Sequence, residues 1–286
     1  PPERRHAGYV FQDGRLFPAG QALLPGGEVT ALTGAVDQPR WVGTAEGLVQ
    51  LDGYFASFAP AANTFVRPCV TTTARIGNLL WVGTDQGLYV TGADGAYRKL
   101  EGALPGNNVK VIRAIDNVVW VGTDLGIGLL GTDAAPQSQL TAAQGLPAAP
   151  ISDIAAGVDG QIWIASDGNG MVRRNADGTF TPFTREGAGN NFLSNQIKAI
   201  AHDGGTLWVG SDQGVSVFSE ASQTFQFPVT NQGGQLPDIR VQDVAVGGGL
   251  VYVATPQGVA VRRADNTWTT LRRATNGWPN STGSDF

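Results

Sequence analysis

Short apolar runs, broken at regular intervals by Asp-Gly and other glycine-rich turns, cover this chain from end to end, and none carries a helical period. Residues 151–183 show the pattern plainly. An apolar run at 151–155 leads to Asp159-Gly160, a second at 161–165 leads to a turn at 167–170, a third at 171–175 leads to Asp177-Gly178, and a fourth occupies 179–183. Runs of this length, rich in Val, Ile, Trp and Phe and bounded by Asp-Gly pairs, predict four antiparallel strands A to D joined by tight turns.

The four-strand unit recurs. Trp41-Val42-Gly43-Thr44, Trp81-Val82-Gly83-Thr84, Trp120-Val121-Gly122-Thr123, Trp163-Ile164-Ala165-Ser166, Trp208-Val209-Gly210-Ser211 and Tyr252-Val253-Ala254-Thr255 are one motif in six copies, spaced 40, 39, 43, 45 and 44 residues apart. Each is followed by a turn glycine and an apolar residue: Gly47-Leu48, Gly87-Leu88, Gly126-Ile127, Gly170-Met171, Gly214-Val215 and Gly258-Val259. Four short strands in about 42 residues, repeated, is the unit of a β-propeller blade. The aromatic of strand B is explained by packing, because a buried Trp removes about 150–250 Å² from water. All six strand-B aromatics, Tyr252 included, are therefore expected in the core. The 40 Gly and 16 Pro among 286 residues fit short strands and tight turns and exclude a helix bundle.

A second landmark sets how the ring closes. A proline, usually after Leu, stands seven residues before an apolar position of strand A: Pro25 and Leu32, Pro105 and Ile112, Pro147 and Ile154, Pro237 and Val244. Trp278-Pro279 repeats it, so residues 277–286 align with 145–154 and begin a further blade. At the other end, Gly8-Tyr9-Val10-Phe11, Asp13-Gly14 and Leu16-Phe17 look like strands C and D without A or B. The expected architecture is a single all-β propeller domain over 1–286. In it, residues 7–19 form strands C and D of a split blade, 20–273 six full repeats, and 274–286 the start of the split blade. That makes seven blades, the seventh incomplete and open to completion by a downstream segment or a neighbouring chain; a six-bladed ring is the alternative.

The repeats at 80–88 and 207–215, with the interblade loop Leu104-Pro105-Gly106-Asn107-Asn108-Val109, resemble the two-component regulator propeller repeat. The resemblance covers nearly the whole chain, weakening in the sixth repeat at Tyr252 and Pro256 and in the loop at 65–70. It implies an extracytoplasmic location (periplasmic, cell surface or secreted) and a recognition role, such as the sensing ectodomain of a bacterial hybrid histidine kinase.

Strand alternation sorts the loops. B–C turns and D–A loops share one face, and A–B and C–D turns share the other. The longest D–A loops, 184–194 and 230–238, mark the first face as the binding face. Asp85, Asp124, Asp167 and Asp212 ring that face in the B–C turns and are read mainly as caps of their own turns. Asp153, Asp243 and Asp285 open strand A and are read as turn or interblade hydrogen-bond partners. The adjacent pairs Arg173-Arg174, Arg262-Arg263 and Arg272-Arg273 are read as solvated positions on outer strands.

A net charge of −5 does not favour nucleic acid or anionic lipid. Cys69 is the sole cysteine, so an intrachain disulfide and a multi-cysteine zinc site are excluded. Neither a metal-binding nor a nucleophile motif occurs, and no cofactor is expected. His6 and His202 are the only histidines, His202 lying on the face opposite the long loops. The expectation is a non-enzymatic module that binds a carbohydrate, peptide or other small ligand through Arg185, Asn190, Asn191, Phe192, Asp212 and Trp278. A structural protein–protein module of a surface or secretion assembly, and a propeller lyase or hydrolase, are the alternatives.

Overall fold

The computed structural model describes residues 9–12, 15–18, 29–33, 40–45, 47–52, 55–58, 69–91, 96–148 and 150–272. A two-stranded hairpin, β1 (Tyr9–Gln12) and β2 (Arg15–Pro18), precedes six four-stranded antiparallel sheets. Blade 1 comprises β3 (Val29–Thr33), β4 (Arg40–Thr44), β5 (Gly47–Asp52) and β6 (Phe55–Phe58). Blade 2 comprises β7 (Val70–Ile76), β8 (Leu79–Thr84), β9 (Gly87–Thr91) and β10 (Tyr97–Lys99). Blade 3 comprises β11 (Val109–Ile115), β12 (Val118–Thr123), β13 (Ile127–Gly131) and β14 (Pro136–Leu140). Blade 4 comprises β15 (Ile151–Ala156), β16 (Ile162–Ser166), β17 (Met171–Arg174) and β18 (Phe180–Phe183). Blade 5 comprises β19 (Ile197–His202), β20 (Thr206–Ser211), β21 (Gly214–Ser219) and β22 (Thr224–Phe225). Blade 6 comprises β23 (Asp243–Gly247), β24 (Leu250–Thr255), β25 (Gly258–Arg262) and β26 (Trp268–Arg272).

Residues of β3, β7, β11, β15 and β19 and the segment entering β23 together line one central cavity, so the blades stand around a common hole with strand A innermost. This is a β-propeller, with six complete blades among the described residues. The N-terminal segment pairs as a two-stranded hairpin. Residues 274–286, expected to open the seventh blade, lie outside the described residues.

The strand-B motif now has a physical account at each of its four positions. Trp41 of blade 1 is only partly buried, whereas in blades 2 to 5 the Trp is buried, with Trp81 and Trp163 fully enclosed and Trp120 and Trp208 nearly so. It is covered from the following blade by whatever residue pairs with the position just before that blade's own aromatic. That residue is Leu130 for Trp81, Arg174 for Trp120, Phe218 for Trp163 and Arg262 for Trp208. Tyr252 departs from the expectation: it is 40% exposed, because among the described residues no sheet follows blade 6 to cover it.

The Gly of the motif seats the next blade. A Cβ at Gly43, Gly83 or Gly210 would lie 2.5 to 2.6 Å from a methyl of Val70, Val109 or Val241, the residue that leads the next strand A. The closing Thr or Ser is buried and its hydroxyl donates to the carbonyl of the turn glycine. These bonds run from Thr84 to Gly87 (2.7 Å), Thr123 to Gly126 (2.9 Å), Ser166 to Gly170 (2.8 Å), Ser211 to Gly214 (2.9 Å) and Thr255 to Gly258 (2.8 Å). The same oxygens accept the N–H of Gln86, Leu125 and Gln213. The hydroxyl therefore caps the B–C turn, a task the sequence reading had given to the aspartates.

Candidate functional site

The loop assignment holds. In blades 2, 3 and 4 the N–H of the B–C turn residue bonds the carbonyl at the end of the preceding D–A loop: Asp85 to Cys69 (3.1 Å), Asp124 to Asn108 (3.1 Å) and Asp167 to Pro150 (3.0 Å). B–C turns and D–A loops thus form one face, and the central cavity opens among them.

That cavity has a volume of ≈ 670 Å³. Its rim is set by an irregularity near the start of strand A. In β3, β7, β11, β15 and β19 the pairing with strand B skips one residue, leaving Thr30, Thr71, Lys110, Ser152 and Lys198 outside the ladder. A bulge of this kind turns a side chain out of the regular alternation. Thr30, Lys110, Ser152 and Lys198 accordingly line the cavity, joined by Gln242, which follows Val241 as Lys110 follows Val109. Thr71 instead donates to the Val109 carbonyl (2.6 Å), and Thr30 likewise donates to the Val70 carbonyl, so two of these hydroxyls also tie neighbouring blades.

Charges of both signs face the channel. Arg113 Nη2 lies 2.8 Å from Asp153 Oδ1, Lys198 Nζ lies 2.7 Å from Asp167 Oδ2, and Arg240 grips Asp238 through Nη2 (2.7 Å) and Nε (3.1 Å). Lys110 has no ion-pair partner among the described residues. Asp153 is buried. Its Oδ1 also accepts the Ile154 N–H (2.8 Å) and its Oδ2 the Ile200 N–H of the next blade (3.0 Å), the interblade role expected of it. Burial raises the Asp153 carboxyl above its ordinary value, outweighing the pull of Arg113 and of the two backbone donors. Arg113 is about half exposed, with 47% of its side chain open to water, which screens its attraction. Asp243 accepts the Val244 N–H (2.8 Å).

The aspartate ring of the B–C turns disperses into separate tasks. Asp124 Oδ1 accepts the Asn108 N–H (3.3 Å), and Asp167 pairs with Lys198. Asp212 lines the channel, with Oδ2 accepting from Gln213 Nε2 (3.1 Å) and Oδ1 buried without a partner. Ser152 Oγ and Thr73 Oγ1, also on the channel, are buried and unpartnered too.

The other site candidates are spread over the rim. Thr184 caps the short helix α1 (Arg185–Ala188), its hydroxyl accepting the Gly187 N–H (3.3 Å), and Arg185 is exposed on that helix. Asn190 and Asn191 line a second cavity of ≈ 560 Å³ between the outer strands of blades 4 and 5. Phe192 is fully buried, tilted against Phe225 at 4.9 Å between ring centroids, so its ring packs the core and offers a ligand no face. Trp278 and Asp285 lie outside the described residues. The structure therefore brings Asn190 and Asn191 together and sets Asp212 apart from them on the channel.

Two further expectations are refined. Arg174 and Arg262 stack on Trp120 and Trp208, with the guanidinium carbon 5.9 and 4.9 Å from the ring centroids, and are interblade contacts more than solvated charges. His202 lies, as expected, on the face away from the long loops. Its Nδ1 accepts the Gly204 N–H (3.2 Å) and its Nε2 sits 3.2 Å from Glu220 Oε1, which also accepts from Trp163 Nε1 (3.1 Å). This network ties blade 4 to blade 5.

The sequence reading missed Lys110, Lys198, Arg240 and Gln242, although a signal for part of the rim was present. Five residues after the proline of each Leu-Pro landmark stands a rim position: Thr30, Lys110, Ser152 and Gln242. Among the described residues no group of three or more His, Cys, Asp or Glu is placed to hold a metal, and no helix is long and apolar enough to cross a membrane.

Neither the comparison with family models nor that with curated proteins gives a match. Solved structures do match. The extracellular domain of BT4673 from B. thetaiotaomicron, assigned to a hybrid two component system, is 20% identical with a TM-score of 0.73, over 92% of this chain and 36% of that one. Virginiamycin B lyase from Staphylococcus aureus is 13% identical with a TM-score of 0.69, over 89% and 87%. PorZ, a surface component of the type-IX secretion system of Porphyromonas gingivalis, is 16% identical with a TM-score of 0.62, over 94% and 43%. These likenesses establish the propeller fold. The chain spans little more than a third of the length of the B. thetaiotaomicron extracellular domains it matches.

Proposed function

We propose that this chain is a non-enzymatic recognition propeller, acting outside the cytoplasm, that takes a small polar ligand or a polar segment of a partner at the channel mouth on the long-loop face. The observation that carries this reading is the convergence of Lys110, Lys198, Arg240, Ser152, Thr30 and Gln242, supplied by five blades, on one cavity. Rigid strands hold these groups, and fixed polar groups lining a concavity are the usual means of orienting a ligand. Asp212 stays in the site as a carboxylate with an unpartnered oxygen, and Arg185 as an exposed cation on the rim of the same face. Likeness to extracellular domains of two-component systems supports the sensor form of this reading.

A lyase reading finds no histidine at the channel among the described residues, His6 lying outside them. The lyase neighbour includes a histidine-to-alanine variant described as catalytically inactive, whereas His202 here is engaged at both ring nitrogens on the opposite face. Likeness to PorZ and the exposed Tyr252 favour a second reading, a structural module whose blade 6 receives a neighbouring protein. Light scattering tests the case in which that neighbour is a second copy of the chain, since a chain that stays monomeric at micromolar concentration has no such self-assembly.

The channel reading is tested by screening organic acids, amino acids and sugars by thermal shift, then measuring hits by calorimetry on the parent and on Lys110→Glu and Arg240→Ala. A loss of tenfold or more in both variants is expected. Hits bound equally well by all three proteins would remove the channel from the function.

A further inference from the structure

We infer that the ligand of the channel is a short free peptide, a di- to tetrapeptide, whose C-terminal carboxylate meets Lys110 and whose N-terminal ammonium meets Asp212; the inference stands on the channel being the binding site. The charges left over once the ion pairs of the rim are drawn carry it. Arg113 pairs with Asp153, Lys198 with Asp167 and Arg240 with Asp238. Lys110, exposed on the same cavity, has no such partner among the described residues. Asp212 is partly exposed there and has no cation either: its Oδ2 accepts from the neutral amide of Gln213 (3.1 Å), and its Oδ1 is buried without a partner. A turn about χ2, which is soft in aspartate, presents that oxygen to the cavity.

The repeat explains both leftovers. Lys198, the displaced residue of blade 5, pairs with Asp167 in the B–C turn of blade 4. Lys110 is the displaced residue of blade 3 and Asp85 the corresponding turn residue of blade 2, yet no ion pair joins them. Asp212 is the turn residue of blade 5, and the position in blade 6 that would answer it holds Gln242, an uncharged amide. One cation and one carboxylate are thereby left facing the same space. An anionic ligand would set its charge against Asp212 and a cationic ligand against Lys110, and like charges brought together cost affinity. A ligand with both signs meets both residues.

The spacing favours a peptide over a single amino acid. Lys110 belongs to blade 3 and Asp212 to blade 5, so a ligand that touches both must cross strand A of blade 4. The two charges of an α-amino acid sit on one carbon. A di- to tetrapeptide advances roughly 3.3–3.6 Å per residue and separates them. On that path stands Ser152, whose Oγ has no hydrogen-bond partner, and beside Asp212 the exposed Gln242 amide. A hydroxyl and an amide each donate and accept, which suits the N–H and C=O of a peptide bond. Leu32, 52% exposed on the same cavity, offers apolar surface to a ligand side chain. The volume of ≈ 670 Å³ falls inside the range of about 300–1,000 Å³ usual for small-ligand pockets.

The test applies calorimetry and ligand-observed NMR to dialanine, trialanine and alanyl-leucyl-alanine, each also as its N-acetyl and C-terminal amide form, with free alanine alongside. At least one free peptide is expected to bind the parent with Kd on the order of 1 mM or tighter, and to weaken tenfold or more on acetylation and on amidation. In Asp212→Asn acetylation is expected to cost little further, and in Lys110→Gln amidation, because each variant lacks the charge that the blocked terminus met. Circular dichroism and the melting temperature check the fold of both variants, and the blocked peptides carry the same test on the parent alone. No binding by any free peptide at about 20 mM overturns the proposal; an organic acid or sugar that still binds the parent and loses tenfold in Lys110→Glu then upholds the channel as a site for another ligand. Free alanine bound as tightly as every peptide, or a peptide indifferent to both blocking groups, also overturns it.

Discussion

Asp153 shows how one side chain serves both fold and site. Its carboxylate reaches Arg113 in the blade before it and the Ile200 N–H in the blade after it, so three blades meet on two oxygens. Because its folded pKa is raised, its contribution to stability is fully present below the ordinary carboxylate value near 4 and is lost as pH rises through the folded value. Asp153→Asn removes that dependence. Urea unfolding of parent and variant from pH 4 to pH 7 is expected to show the parent losing stability relative to the variant as pH rises; a difference that stays flat or moves the other way sinks the assignment. The sequence placed Asp153 at the opening of strand A as a turn or interblade partner but could not give the direction of its shift, which depends on burial in the folded chain.

At the scale of the element, the hairpin of strands B and C depends on one hydroxyl. Thr123 is buried, donates to Gly126 O and accepts from Leu125 N–H. Thr123→Val keeps the shape and strands the Leu125 N–H, with an expected cost of about 1–3 kcal/mol. Thr123→Ser is expected to cost less, since Ser166 and Ser211 make the same bond to their turn glycines. Urea denaturation of both variants checks this, and equal losses would show that the methyl rather than the hydroxyl matters. The spacing of Thr or Ser to the turn glycine was visible in the chain. Its meaning was misassigned to Asp because an aspartate in a tight turn is the commoner cap, and only coordinates show which oxygen reaches the N–H.

Across the whole molecule, stability is shared between neighbouring blades. Gly83 receives Val109 at the interface of blades 2 and 3, and Phe218 covers Trp163 between blades 4 and 5. Gly83→Ala forces a Cβ to within 2.5 Å of a Val109 methyl, an overpacking expected to cost about 1–3 kcal/mol. Phe218→Ala opens a cavity worth about 3–5 kcal/mol. The two sites share no partners, so their effects should add within about 0.5 kcal/mol in the double variant, as for nearest-neighbour repeats. A coupling above about 1 kcal/mol, measured by denaturant unfolding of the full cycle, would mean that strain travels round the ring.

The sequence by itself determined the blade: strand count, turn positions, the buried aromatic and the sorting of loops onto two faces. These follow from local alternation and turn chemistry, repeated six times, and repetition averages out local error. Only the tertiary structure decided what each loop residue does. Phe192 and Asn190 sit two positions apart in one loop, yet one fills the core and the other lines a groove, because blade 5 closes over the first and not the second. The charged rim arises the same way: Lys110 and Lys198 are displaced residues of their strands A, Arg240 lies in the segment entering β23, and the three, distant in the chain, meet only because the blades stand around one axis.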